Sequence, residues 1–166
     1  NELKTSGYFK NKNQLSIRGI PGEIAEHHGN IHLVSSKSYH QKISELKDII
    51  NKQIPENTAA IAHARGYGDL RENAEYSAAK ERQKYLHRRQ YELERDINSV
   101  KIIEFRNILP ADSVIIGSTV TIESENAEPE KYHILGAWDS EPKLKRLSYE
   151  SGLAKNLISK KIGETI

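Results

Sequence analysis

The sequence predicts an α+β protein in which a long antiparallel pair of helices is followed by a small β-rich unit. Three observations carry this. Seam-forming positions step by alternating threes and fours from Tyr76 to Val100, a glycine-bracketed turn at residues 66–69 separates two such runs, and the pattern changes to β-branched residues after Pro110.

Residues 1 to about 32 hold scattered Gly and Asn and neither periodicity, so 1–35 is assigned to an extension or linker. The first helix begins near Ser36 and carries Ile43, Leu46, Ile50, Ile54, Asn57, Ile61 and Ala64 along one seam. Two successive four-residue steps, Leu46 to Ile50 to Ile54, fall just before Pro55 and form a stutter that relaxes supercoiling. Gly66-Tyr67-Gly68-Asp69 then stops one helix and starts the next within a connection short enough to force a hairpin. The second helix presents Tyr76, Ala79, Gln83, Leu86, Gln90, Leu93, Ile97 and Val100. At about 28 residues it would be roughly 42 Å long, and helical character is expected to continue to about Leu109, giving a coiled-coil hairpin over 36–110. Ala59, Ala60, Ala62 and Ala64 on one arm and Ala74, Ala78 and Ala79 on the other are expected to let the helices approach closely at the tip.

The unit 111–166 reads as β. Val114, Ile115, Ile116, Val120 and Ile122 around Gly117 suggest a bent or bulged strand pair, followed by strands at Tyr132–Leu135 and Lys145–Tyr149. A short helix is expected from Gly152 to Ile158, and the chain ends within what reads as another strand, so the unit looks cut short.

Composition excludes several classes of function. With glycine counted and tyrosine left out, about 37% of the chain is apolar, against roughly 45–50% in ordinary globular proteins, so the core is thin. The 25 basic and 23 acidic residues leave a net charge of +2, so any charge-based function is local. The absence of cysteine removes disulfides, thiolate metal sites and a cysteine nucleophile, and fits a reducing cytoplasm. No apolar run approaches the ~18 residues of a membrane span, and Asn1–Lys10 lacks the layout of a signal peptide. The chain has no methionine even at position 1, which points either to a segment of a longer chain or to a sequence lacking its modified residues.

The segment Gly68-Asp69-Leu70-Arg71-Glu72-Asn73-Ala74-Glu75-Tyr76 places two carboxylates three residues apart in the hairpin turn. Asp69 and Glu72 suit a hard cation such as Mg²⁺, which takes one or two protein carboxylates. Equally, Asp69 suits a helix N-cap with Glu72 at the third helical position, the capping-box spacing. Spacing alone favours the capping reading.

Gly68 to Ala79 with Lys80-Glu81-Arg82-Gln83, together with Pro55-Glu56, Ala59-Ala60-Ile61-Ala62 and Ala64-Arg65 upstream, resembles the GreA/GreB family of bacterial transcript cleavage factors from about residue 36 to 166. The resemblance implies a helical hairpin followed by an FKBP-like domain. It also implies that the protein is not itself an enzyme. It would act as a monomer, dock on RNA polymerase, pass the hairpin through the polymerase's secondary channel and stimulate cleavage of backtracked RNA by the polymerase. Asp69 and Glu72 match the family's acidic tip residues, which would hold Mg²⁺ jointly with polymerase, while Gly68, Leu70, Asn73, Glu75 and Tyr76 match its tip scaffold. Ser148, Ser151, Ala154, Leu157, Ile158, Lys160 and Gly163 extend the match, with Ser151 in an element implicated in docking. Three features depart from the family: residues 1 to about 32 lie outside the resemblance, Gly152 stands where proline commonly follows Ser151, and the family's later β segments lie beyond the equivalent of Ile166.

Other signals have plainer readings beside functional ones. Six basic residues against three acidic ones between Lys80 and Arg95 describe a solvated flank, or a surface for RNA phosphates; Arg65 and Lys80 are among the basic residues nearest the tip, and with Lys84 they are the RNA-facing candidates. His27, His28 and His32 lack a partner that would complete a metal site, and a solvated loop is expected. Trp138 and Tyr132 are expected in the core rather than in a prolyl-binding pocket. The competing functions are therefore a channel-binding regulator without cleavage and, further off, a peptidyl-prolyl isomerase or chaperone.

Overall fold

The computed structural model of the protein describes residues 31–67, 73–124 and 127–166. These divide into two compact units, one of residues 39–99 and the other formed by the chain on either side of it.

The first unit is the hairpin. Helix α1 (Ser36–Asp48), whose first turn belongs to the other unit, runs into a π-helical segment (Ile49–Gln53), which leads into α2 (Ile54–Arg65); the returning arm is α3 (Ala74–Asn98). The π segment lies where the sequence stutters, and it corrects the register there. Ile49 is buried and Ile50 exposed, so the seam steps from Leu46 to Ile49 and then five residues to Ile54. A π turn holds one extra residue and absorbs that step. It also prepares the backbone for Pro55, which has no N–H to donate and sits in the first turn of α2. All eight expected seam positions from Tyr76 to Val100 are buried or half-buried.

The hairpin core consists of Leu46, Ile49, Leu86, Leu93 and Ile97, with Tyr39, Ile43 and Ile54 packed against it. Four polar contacts cross between the arms in one common antiparallel register. Lys42 Nζ lies 2.6 Å from Asp96 Oδ2, Arg89 donates twice to the Glu45 carboxylate at 2.7 and 3.0 Å, Asn57 Nδ2 donates to the Ala79 carbonyl at 3.1 Å, and Asn73 Nδ2 donates to the Ala64 carbonyl at 2.9 Å. The two ion pairs are part-exposed and each contributes at most about 1 kcal/mol. Of the alanines expected to line the tip, Ala64 is buried and Ala79 half-buried, while Ala59, Ala60, Ala62, Ala74 and Ala78 are exposed.

In the second unit, β1 (His32–Ser35) pairs in parallel with β2 (Val100–Ile103), His32 opposite Val100 and Ser35 opposite Ile103. Two expectations are corrected here: residues 32–35 are a strand rather than linker, and the second helix ends at Asn98 instead of continuing toward Leu109. Val100-Lys101-Ile102-Ile103 is β-branched at three of four positions and has a strand partner in β1, which outweighs continuation of the heptads. Val100 is buried at 3% exposure, as the seam also required.

A three-stranded sheet follows, with β3 (Thr119–Ser124) antiparallel to β4 (Ala127–Leu135) and β5 (Arg146–Ser148) parallel to β4 on its other side. The bulge lies between Ile122 and Ser124 rather than around Gly117. Gly117 instead takes φ +90° in a turn, and Val114, expected in a strand, exchanges backbone hydrogen bonds with Ser159 and Lys160. The last residues form no strand. Ile134, Ala154 and Leu157 make the buried centre. Gly136 must be glycine, because a Cβ there would come within 2.8 Å of the Leu33 carbonyl oxygen and the Val34 Cα. Among the described residues no helix is long and apolar enough to cross a membrane.

Candidate functional site at the hairpin turn

Gly68, Asp69, Leu70 and Glu72 lie outside the described residues, and the two sides of the turn define their setting. On the incoming side α2 ends at Arg65, with Gly66 N–H returned to the carbonyls of His63 and Ala64. Tyr67 is 65% exposed, its ring edge-on to His63 with centroids 5.0 Å apart.

On the outgoing side Asn73 is the N-cap of α3. Its backbone is extended, at φ −82° and ψ 98°, and its Oδ1 accepts from the Tyr76 N–H at 2.9 Å. The same amide donates to Ala64, so one side chain both starts the second helix and ties it to the last turn of the first. The cap of the described helix is Asn73, four residues after Asp69, and the expected capping box of Asp69 and Glu72 lies outside the described residues.

Glu75 is exposed in the first turn of α3, where a carboxylate favours the helix N-terminus. Tyr76 is half-buried at the start of the seam, with the Arg65 guanidinium 6.0 Å from its ring centroid. Of the basic candidates, Arg65 and Lys84 are exposed, whereas Lys80 is half-buried and donates to Gln83 Oε1 at 2.7 Å. Lys84 bonds Glu81 at 2.8 Å, and that hydrogen bond, with the ammonium charge, holds the Glu81 carboxyl below the usual carboxylate range. Arg65 and Lys84 therefore face solvent on this flank, and Lys80 is partly covered and tied to Gln83.

Ser151 caps α4 (Gly152–Leu157), its Oγ accepting from the Ala154 N–H at 3.3 Å. Gly152 is the first helical residue, a Cβ there would meet nothing within 4 Å, and Ser151 has the extended backbone (φ −66°, ψ 152°) that a following proline requires. Gly152→Pro is therefore expected to stabilise this unit by about 0.4–1 kcal/mol through the unfolded chain, read as a raised denaturant midpoint at unchanged slope.

His27 and His28 lie outside the described residues. His32 Nδ1 is 2.5 Å from Glu150 Oε1, and among the described residues no cluster of three His, Asp or Glu could hold a metal. The Tyr132 hydroxyl donates to Glu130, and Lys145 Nζ lies 5.3 Å from its ring centroid, so polar neighbours occupy a ring that a prolyl pocket would need bare. Sequence spacing places Asn57 in the seam but does not show its cross-helix bond. An amide side chain at an otherwise apolar seam position was the signal.

Residues 32–102 match the family described as transcription elongation factor, N-terminal, and residues 109–166 match transcription elongation factor, GreA/GreB, C-terminal. The chain belongs to the GreA/GreB family of transcription elongation factors. It is 44% identical over 123 residues to the transcription elongation factor GreA of Leuconostoc mesenteroides, covering 74% of this chain and 76% of that protein. It is 36% identical over 135 residues to GreA of Treponema pallidum, covering 81% and 83%. GreA of Chlamydia trachomatis is 38% identical over 149 residues, which is 90% of this chain and 20% of that longer relative. The Chlamydia match reaches into the first 32 residues, so the similarity begins earlier than the motifs alone indicated.

Proposed function

We propose that this chain binds RNA polymerase, places its hairpin turn at the polymerase active site through the secondary channel, and stimulates cleavage of backtracked RNA, with Asp69 and Glu72 as the residues that act. The supporting observation is the bond from Asn73 to Ala64: it ties together the two arms on either side of the acidic pair, in a chain that belongs to an elongation-factor family. A capping role for either carboxylate would not exclude this one, since a carboxylate has more than one acceptor site.

The donor set is two carboxylates, hard oxygen ligands that suit Mg²⁺. Held jointly with polymerase, the ion would supply Lewis-acid stabilisation of the developing phosphoryl charge. The chain's own contribution is placement. Asn73 and Tyr76 fix where the turn leaves and re-enters the helices, the hairpin core keeps the arms together, and Arg65 and Lys84 present positive charge to RNA phosphates. The unit that contains Ser151 docks on polymerase, with its short capped helix as the contact element.

The test is an RNA cleavage assay on a stalled polymerase complex, with and without this protein. Faster shortening of the transcript supports the reading. Binding that leaves cleavage unchanged or slows it would replace it with a channel-binding regulator. The isolated protein is expected to hydrolyse no free RNA in Mg²⁺, since two carboxylates do not complete a tight site. RNA hydrolysis that co-purifies and scales with the protein would contradict this.

A further inference from the structure

The outer half of the hairpin buries little apolar surface. On α2 only Ile61 and Ala64 are buried hydrophobics, and α3 has no fully buried residue before Leu86. Where Ala and Gln make up much of the seam, apolar packing separates one register from the next only weakly. The ion pairs nearer the root join long, part-exposed side chains that follow a small slip of one helix along the other.

We propose that Asn57 is a positioning residue whose buried amide sets the register of the two arms, and with it the place of the turn that carries Asp69 and Glu72. Asn57 is 4% exposed, and its Nδ2 donates to the Ala79 carbonyl, which the small Ala79 side chain leaves within reach. Its Oδ1 is buried without a hydrogen-bond partner, so the amide is not there to satisfy both of its groups. Gln83 and Leu86 also border the Asn57 position; a slip of one turn would exchange Ala79, whose small side chain leaves its carbonyl open, for Gln83, whose longer side chain covers the backbone there. A hydrophobic residue would make a better seam at this position and a less selective one, which is the established use of a single buried asparagine between helices. The bond from Asn73 to Ala64 obeys the same register nearer the turn, so the two amides specify one alignment.

The absence of cysteine makes the test direct. Spin labels on Glu56→Cys and Arg82→Cys, exposed positions on opposite arms, report the alignment by pulsed electron resonance on the whole chain. With Asn57 present, one narrow distance is expected. Asn57→Leu should raise the melting temperature by several degrees and broaden the distances, or add a second population displaced by about one helical turn, roughly 5 Å. Asn57→Ala, which removes the amide without adding apolar surface, should broaden them too. A single narrow distance equal to the parent's in either folded variant would overturn the proposal. The effect on cleavage rests on the function proposed above: Asn57→Leu should lower the rate at saturating protein by about tenfold or more, with the half-saturating concentration unchanged. Broadened distances with full cleavage would contradict the positioning of the turn while leaving the register role standing, and no cleavage even by the parent would contradict the proposed function alone.

Discussion

Replacing Asp69 with Asn and Glu72 with Gln is expected to leave the protein folded and bound to polymerase while lowering stimulated cleavage by about 10²–10³-fold, the cost typical of removing one group that stabilises transition-state charge. Both substitutions keep side-chain size and remove only the negative charge. The fold should tolerate them because α3 is capped by Asn73, whose Oδ1 holds the Tyr76 N–H and whose Nδ2 holds the Ala64 carbonyl. Circular dichroism melts, a polymerase binding assay and cleavage rates on a stalled complex check the three parts. Near-normal cleavage by Asp69→Asn would remove the catalytic role. A large fall in melting temperature would mean that the acidic pair supports the hairpin after all.

Leu93→Ala is expected to have the largest effect on stability. Leu93 is fully buried, packed with Leu46, Ile49, Leu86 and Ile97, and truncating such a leucine typically costs about 2–5 kcal/mol through lost burial and the cavity left behind. Residue 93 is 19 positions along α3 from Ala74 and should touch no RNA at the active site. Its loss should nonetheless reduce cleavage, because about 1 Å of misplacement can cost roughly 100-fold in a reaction that depends on alignment. Lys84→Ala is the matched control on the same helix. Its side chain is 72% exposed and pairs with Glu81 three residues earlier on the same helix, so the melt should hardly change, and any effect on cleavage should weaken as salt rises. A Leu93→Ala protein that melts with the parent would contradict the hairpin core.

The helical seam was legible in the sequence because it is local: each position from Tyr76 to Ile97 follows from spacing along one helix, and the structure buries or half-buries all of them. The turn motif was legible for the same reason, as a contiguous run. Sequence-local reasoning failed where a choice depended on residues far away. The heptads do not stop at Asn98, and only pairing with β1, more than sixty residues earlier, makes a strand of Val100–Ile103. Leu46, Ile50 and Ile54 look evenly spaced, and only packing against α3, together with the missing N–H of Pro55, selects a π turn that buries Ile49 instead. Asp69 and Asn73 are both good caps by residue type. The acceptor at Ala64, on the other arm, favours Asn73, because the same amide can serve both helices at once. The sequence by itself thus determined the two helical arms and the chemistry carried in the turn. The tertiary structure decided where those elements end and which polar groups bind across them, since both depend on partners that only the folded chain brings within hydrogen-bonding distance.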